Sequence, residues 1–377
     1  MNGKRAAIIV DHFCLSPLGG GVTYPRELVR ALSELPRDDI DITLVGFGFS
    51  SMVEQYPFLA DFRLLEIPMR RIPFYFDFRH FIIVPLVLRK HGFDAVIELT
   101  QSIPFLFKDY KLAGMVTDIT PLMFPRLFKH PLASYLRHTT LLRIAFKRCD
   151  RIAAISETTR KDLIKHYRIA EEKIRLVPLA FSKSEYRKSY VFSRHNIEGR
   201  FILSVGTFQP RKNYTTLINA FDQFIEKAGH DDLFLVIVGE LGWRYETIIA
   251  TYNNAKHKDK IRFLHNVNDE ELMNLYEQCL FFVYPSLYEG FGLLILEAMA
   301  FSKAVLISNS SSMAEFPVDK RFKVEPTDTN AFKENIAFLV ESESDRIEQG
   351  KRNSEIAGGY SWSKAAGLLL DMISELL

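Results

Sequence analysis

Two open α/β units in tandem are the fold this sequence predicts, and three observations carry the prediction. Short apolar runs alternate with amphipathic stretches from end to end, the pattern of a parallel sheet covered by helices. The series lapses over Pro178–Gly199, a stretch without clear period and rich in Ser, Lys, Arg and Tyr, and restarts at Phe201. The 377 residues suffice for two such units.

In the first series, Ala6–Val10, Ile42–Phe47, Asp94–Leu99, Lys111–Val116 and Arg151–Ile155 read as buried strands. Tyr24–Leu35, Leu132–Lys147 and Glu157–His166 carry helical spacing. The second series places strands at Phe201–Val205, Leu233–Val238, Ile261–Leu264, Leu280–Tyr284 and Ala304–Ile307. Its helices are expected at Tyr214–Lys227, Asp269–Cys279, Leu293–Phe301 and Asn330–Glu341. The expected boundaries are a first domain over 1–180, a linker over 181–199, a second domain over 200–360 and a terminal helix over 361–377. That helix repeats apolar residues at Trp362, Ala365, Leu368, Leu369, Met372 and Leu376, a face that must be buried.

Composition removes several classes. Hydrophobic residues make up 47% and charged residues 25%, an ordinary globular balance. Three dispersed cysteines, Cys14, Cys149 and Cys279, exclude a disulfide framework and a clustered zinc site. The ten histidines show no metal-ligand spacing. Ala6–Val10 is too short for a signal-peptide core, and no uncharged run is long enough to span a bilayer, so a cytoplasmic protein is expected. The net charge of +2 is unlike that of a nucleic-acid binder, but it hides an asymmetry. Residues 1–195 hold 30 Lys+Arg against 20 Asp+Glu, and residues 196–377 hold 18 against 26. A basic first half suits an anionic acceptor or an anionic lipid surface, although two oppositely charged halves also attract each other.

Ligands of open α/β sheets bind in loops at the carboxyl ends of strands, here in a cleft expected between the two domains. After Leu280–Tyr284 comes PSLYEGFG, then an apolar helix holding Glu297. Gly290 and Gly292 let backbone approach a ligand, and the helix beginning at Leu293 offers free N–H groups to a diphosphate. Glu289 and Glu297 can each accept a pair of sugar hydroxyls. Together these features describe a sugar-nucleotide site, against the plainer alternative of two solvated glutamates. After Phe201–Val205 comes GTFQPRKN, with Arg211 and Lys212 adjacent at a strand end and Asn213 placed as a helix N-cap. Fixed cations there would stabilise charge growing on a leaving diphosphate.

Tyr284–Ala300, YPSLYEGFGLLILEAMA, resembles the signature of the retaining nucleotide-sugar glycosyltransferases of family four, which have the two-Rossmann GT-B fold. Ser204–Asn213, SVGTFQPRKN, resembles that family's V-G-T-x-x-P-R-K-N motif. Val238–Trp243 is similar to its G-x-x-G-W turn, and Ile155–Arg160 to its S-E-x-x-R helix start. Gly19, Gly20, Tyr24 and Leu28 resemble its glycine loop and first helix, and Ser361-Trp362 its terminal helix crossing back to the first domain.

The resemblance implies that Arg211 and Lys212 hold the donor diphosphate, that Glu297 binds the ribose and that Glu289 contacts the donor sugar. It implies further donor contacts from Gly206, Gly290, Phe291, Gly292 and Leu293, with Gly20 beside the donor phosphate. Asp118 is the retained member of a V-T-x-H-D-L pattern in which Thr117 replaces a histidine. Arg211, Lys212, Glu289 and Asp118 are the residues expected to be catalytic. Transfer would retain the anomeric configuration and need no metal or other cofactor beyond the nucleotide sugar. The P-R-K-N form leans toward mannose from GDP-mannose; a UDP-sugar donor, a GT-B epimerase or phosphorylase, and a non-catalytic sugar-nucleotide-binding subunit are the alternatives. Two loops depart from the family: Ala300–Ala304 lacks its Gly and Pro, and Phe316–Asp319 lacks its glycine turn.

On the acceptor side, Ile72–Gly92 mixes aromatics with Arg79, His80, Arg89 and Lys90, just after Arg71. Arg126–Arg151 adds Lys129, His130, Arg137, His138, Arg143, Lys147 and Arg148. Such a mixture suits a glycan acceptor linked to a lipid diphosphate, or peripheral contact with an anionic membrane. It equally suits a domain core with a solvated cationic rim. Asp38-Asp39-Ile40-Asp41 and Asp231-Asp232 imitate metal-binding Asp pairs, but they sit before strands and read as turn residues.

Overall fold

The computed structural model describes residues 3–11, 20–37, 39–69, 78–127, 131–183, 186–187 and 191–377. The chain forms two compact units, one of residues 1–123, 132–180 and 360–377, the other of 124–131 and 181–359.

The first unit is built on β1 (Lys4–Ile9), β2 (Ile40–Gly46), β3 (Arg63–Glu66), β4 (Ala95–Glu98), β5 (Lys111–Val116), β6 (Arg151–Ala154) and β7 (Ile174–Leu176). They pair in the order β3-β2-β1-β4-β5-β6-β7, and the pairs are parallel. Ala6–Ile9, Ala95–Glu98 and Leu112–Val116 are buried, as strands covered on both faces require. Helices Gly20–Ser33 and Trp362–Leu376 pack against each other in this unit. The terminal helix therefore returns to the first unit, where Trp362, Ala365, Leu369, Met372 and Leu376 are buried. Its Glu375 accepts from Arg151 Nε at 2.9 Å and from Arg175 Nε and Nη2 at 3.1 and 2.9 Å.

The second unit carries β8 (Arg200–Val205), β9 (Leu233–Val238), β10 (Ile261–Leu264), β11 (Phe282–Tyr284), β12 (Val305–Ser308) and β13 (Lys323–Val324). Their order is β10-β9-β8-β11-β12-β13, again in parallel pairs. Helices Tyr214–Ala228 and Thr329–Glu341 pack together over a core containing Phe208, Leu217, Phe221, Leu235, Phe281 and Phe332.

Three expectations need correction. The Glu157–His166 helix is α-helical over Glu157–Asp162 and continues as a π-helical turn over Leu163–Tyr167. Leu132–Lys147 is not one plain helix: α-helical Pro131–Leu136 and Leu142–Arg148 are joined by a π-helical turn at Arg137–Leu141. Asp41 lies inside β2 and pairs with Arg63 at 2.8 Å, so it is a strand residue rather than a turn residue. Asp38 lies outside the described residues, whereas Asp232 does occupy the turn before β9 and pairs with Arg200 at 2.7 Å.

Candidate active site

Arg211, Lys212 and Glu289 converge at the carboxyl ends of β8 and β11. After β8, Gly206 adopts φ +143°, a conformation that side chains rarely reach. A Cβ there would lie 3.1 Å from Tyr214 Oη and 3.2 Å from Lys212 Cε, a tight fit beside the folded-back lysine. Pro210–Lys212 forms a short 3-10 turn that places Arg211 and Lys212 side by side.

Both cations meet Glu289, which arrives from the loop after β11. Arg211 Nη1 pairs with Glu289 Oε2 at 2.6 Å, and Lys212 Nζ pairs with Oε1 at 2.7 Å. Ser286 Oγ donates to the same Oε1 at 2.6 Å, and Tyr284 Oη at 3.0 Å. Lys212 Nζ also donates to Tyr284 Oη. Lys212 is 6% exposed and Glu289 is 8% exposed, so these charges interact with little water between them. Burial by itself would raise the Glu289 carboxyl, but Arg211 and Lys212 overcome it and hold the group at about 2. The loop is further pinned by Ser311 Oγ, which accepts from Glu289 N at 2.9 Å, and by Ser312 Oγ, which donates to Glu289 O at 2.9 Å.

Asn213 stands at the head of the Tyr214–Ala228 helix, but its side chain does not cap it. The residue is in the left-handed region at φ 56°, and its amide is turned to other work. Nδ2 donates to Pro285 O at 3.0 Å and to Pro326 O at 2.7 Å, while Oδ1 accepts from Thr216 Oγ1 at 2.9 Å. Asn213 thus stitches the β8 loop to the β11 loop, a role invisible at a spacing of 72 residues.

Helix Leu293–Ala300 starts as the sequence predicts, behind Gly292 at φ +100°. A Cβ on Gly292 would lie 3.0 Å from the Phe316 ring. Gly290 and Phe291 are buried and Leu293 is half-buried. An α-helix leaves its first N–H groups without an intrahelical acceptor, although here Ile295 N already donates to Gly292 O at 2.9 Å. Glu297, on its second turn, is half-buried and takes part in a hydrogen bond with Tyr276 rather than joining the Glu289 cluster. Burial pushes its carboxyl up to about 7, with Asp269 adding to the rise and Tyr276 opposing it.

The G-x-x-G-W turn has a structural reason as well. Gly239 has φ +157°, and a Cβ there would sit 2.1 Å from Gly206 O. Phe208 N donates to Glu240 O at 2.8 Å, and Gly242 N donates to Phe208 O at 3.0 Å. The two glycine loops therefore lie backbone to backbone. Sequence reasoning missed this contact, and with it Tyr284 and Ser286. The available signal was a Tyr ending a buried strand five residues before Glu289.

In the first unit, Gly20 is the first residue of the Gly20–Ser33 helix, and Gly19 lies outside the described residues. Asp118 follows β5; its Oδ1 accepts from Thr120 N at 2.8 Å. Gln101 Nε2 donates to Thr117 Oγ1 at 2.9 Å and to Asp118 O at 3.0 Å, fixing the turn after β5. Ser156 caps the Glu157–Asp162 helix, accepting from Thr159 N at 3.0 Å, and Arg160 pairs with Glu157 and Glu171. Arg79 and His80 are not part of a cationic rim: both are buried against Asp11, the residue after β1. Burial would raise the Asp11 carboxyl, yet His80 and Arg79 hold it below its ordinary value. Arg71 and the aromatics over 72–77 lie outside the described residues, as do Lys129 and His130.

Residues 18–184 match the model of "Glycosyltransferase Family 4", and residues 187–356 match that of "Glycosyl transferases group 1". The chain belongs to glycosyltransferase family four. It is 30% identical over 217 residues to the O-antigen chain mannosyltransferase B of Escherichia coli, covering 56% of this chain and 57% of that protein. It is 29% identical over 250 residues to the O-antigen chain mannosyltransferase RfbU of Salmonella typhimurium, covering 66% of each. The matched stretches thus span less than two thirds of these relatives. The sucrose-phosphate synthase of Thermosynechococcus elongatus shares the fold, with a TM-score of 0.77 over 99% of both chains at 18% identity. The two parallel sheets are those of the GT-B fold. Among the described residues, no helix is long and apolar enough to cross a membrane. No three His, Cys, Asp or Glu side chains among them gather as a metal site would need.

Proposed function

We propose that this family member is a retaining hexosyltransferase that moves mannose from GDP-mannose to a glycan or lipid-linked glycan in surface polysaccharide synthesis. The observation that carries the proposal is the buried cluster of Arg211, Lys212 and Glu289 beside the Leu293–Ala300 helix start. Two cations sharing one carboxylate leave a net positive charge in a nearly dry loop. A diphosphate can take that charge and the helix N–H groups together. Arg211 and Lys212 would then turn from Glu289 to phosphate oxygens, and the freed Glu289 carboxylate would accept hydroxyls of the donor sugar. Glu297 would hold the ribose, while Gly206, Gly290, Phe291, Gly292 and Leu293 would line the donor's path.

In the reaction, the bond from the anomeric carbon to the diphosphate oxygen breaks as the acceptor hydroxyl oxygen bonds to the same face of that carbon. The departing phosphate oxygen takes the acceptor proton. Arg211 and Lys212 stabilise the charge that grows on the diphosphate, and their charge needs no metal to supplement it. Asp118 and Gly20 are assigned contacts with the donor sugar and its phosphate from the first half of the chain. Mannose is favoured because two relatives are mannosyltransferases of O-antigen chains. An acceptor anchored in lipid would bring the enzyme to the inner face of a membrane.

The test supplies labelled GDP-mannose, and separately labelled UDP-hexoses, with lipid-linked glycan acceptors. Mannosyl transfer that disappears in Lys212→Ala is the expected result. Transfer only from a UDP-hexose would replace the donor. Equal label in wild type and Lys212→Ala would end the assignment of the site.

A further inference from the structure

The segment from Pro131 to Cys149 carries an outer face that the donor chemistry does not use. Its inner face is ordinary core: His138, Leu142, Ala145 and Phe146 are buried, and His138 Nδ1 lies 3.1 Å from Tyr167 Oη. Its outer face is apolar too. Leu132 is 70% exposed, Tyr135 42%, Leu136 49%, Leu141 39% and Ile144 48%. These are five of the eleven large apolar side chains exposed among the described residues, gathered within thirteen positions.

The π-helical turn at Arg137–Leu141 aligns them. In a plain helix, Ile144 would point roughly 120° away from Leu132. The extra residue in the π turn rotates Leu141 and Ile144 back toward the line of Leu132 and Leu136. An apolar outer face needs a cover.

The charges say what that cover is. Residues 131–149 contain Arg137, Arg143, Lys147 and Arg148 and no Asp or Glu. Lys147 and Arg148 are exposed and Arg137 is half-buried, and among the described residues none of the three pairs with a carboxylate. A second copy meeting this face across a two-fold axis would set cations against cations. A surface that is both greasy and anionic satisfies both features at once.

We infer that the outer face of Leu132–Arg148 docks on an anionic lipid bilayer, with Leu132, Tyr135, Leu136, Leu141 and Ile144 entering the interface and Arg137, Lys147 and Arg148 meeting lipid phosphates. The test of this surface needs no sugar nucleotide.

The full chain is sedimented with phosphatidylglycerol-rich vesicles and with pure phosphatidylcholine vesicles. Binding to the anionic vesicles that weakens as salt rises is expected. Arg137→Glu with Lys147→Glu and Arg148→Glu should lower partitioning by about a hundredfold or more, from about 1 kcal/mol per cation. Leu136→Glu with Ile144→Glu should lower it by at least roughly tenfold. Leu136, Ile144, Lys147 and Arg148 are exposed and Arg137 is half-buried, and circular dichroism melts establish that the variants fold. Absence of wild-type binding to anionic vesicles would overturn the inference, as would binding unchanged in both variants. So would a wild-type dimer that Leu136→Glu with Ile144→Glu converts to monomer, which would assign the face to a second copy.

Discussion

Glu289→Gln removes the carboxylate that Arg211 and Lys212 share and keeps its shape. The ion pairs hold the Glu289 carboxyl at about 2, against 4.5 ordinarily, a difference that corresponds to about 3 kcal/mol of stability at neutral pH. A second route agrees, because removing one partner of a buried ion pair costs about 3–5 kcal/mol. For a unit of this size each kcal/mol moves the melting temperature by about 2–4 °C, so the second unit should melt roughly 6–12 °C lower. The pH dependence has a definite sign. The folded-state value is depressed, so the stabilisation is present above 4.5 and lost as pH falls toward 2. The gap between wild type and variant, followed by circular dichroism, should therefore be full at pH 7 and close over that acid window. Added nucleoside diphosphate brings the missing anion and should restore part of the loss at pH 7. A variant that melts like wild type at pH 7, or whose deficit does not close in acid, would refute the buried-pair account.

Four further outcomes follow from the same region. If Arg211 and Lys212 hold the leaving diphosphate as proposed, Lys212→Ala and Arg211→Ala should each raise the barrier to transfer by roughly 2–4 kcal/mol, read as kcat/KM. Glu297, at about 7, should make donor binding pH-dependent: protonation removes the charged acceptor, so donor Kd at pH 6 should be about tenfold weaker than at pH 8, and Glu297→Gln should flatten the profile. Its folded-state value is raised, so the unliganded protein should lose stability as pH climbs from 4.5 through 7, the reverse of Glu289; calorimetry across that range reads it. Gly239→Ala would push a Cβ to 2.1 Å from Gly206 O, and a melt unchanged from wild type would show that the two glycine loops are not packed as described.

Long, apolar elements were legible in the sequence because burial on both faces leaves an uninterrupted run, as in Leu233–Val238. Elements that escaped lack that signature. β13 is two residues long and β7 three, too short for any period. β3 reads RLLE at the sheet edge with no buried residue. Helix Glu343–Gly358 is mostly polar and shows little apolar stripe. The terminal helix was foreseen as an apolar face needing burial, but Glu375 meeting Arg151 and Arg175 spans about 200 residues and leaves no local trace. The site followed the same rule. Of the candidates named from their motifs, Arg211, Lys212 and Glu289 come together in one cluster, and Glu297 on its helix stays apart from it. That Glu289 already binds both cations could not be read from those motifs, because the contact crosses 77 residues between two strand ends. Asn213 suits an N-cap by residue type, and only the neighbouring carbonyls of Pro285 and Pro326 explain why its amide faces elsewhere.

The central claim is that the Arg211–Lys212–Glu289 loop pair with Glu297 binds a nucleoside diphosphate sugar. Thermal melting of the full chain with GDP, GDP-mannose, UDP and UDP-hexoses tests it most directly. At about 100 times Kd a ligand adds roughly 2.7 kcal/mol, a shift of several degrees. The account predicts stabilisation by GDP and GDP-mannose that is lost in Lys212→Ala. A melt that no nucleotide or sugar nucleotide moves would contradict it.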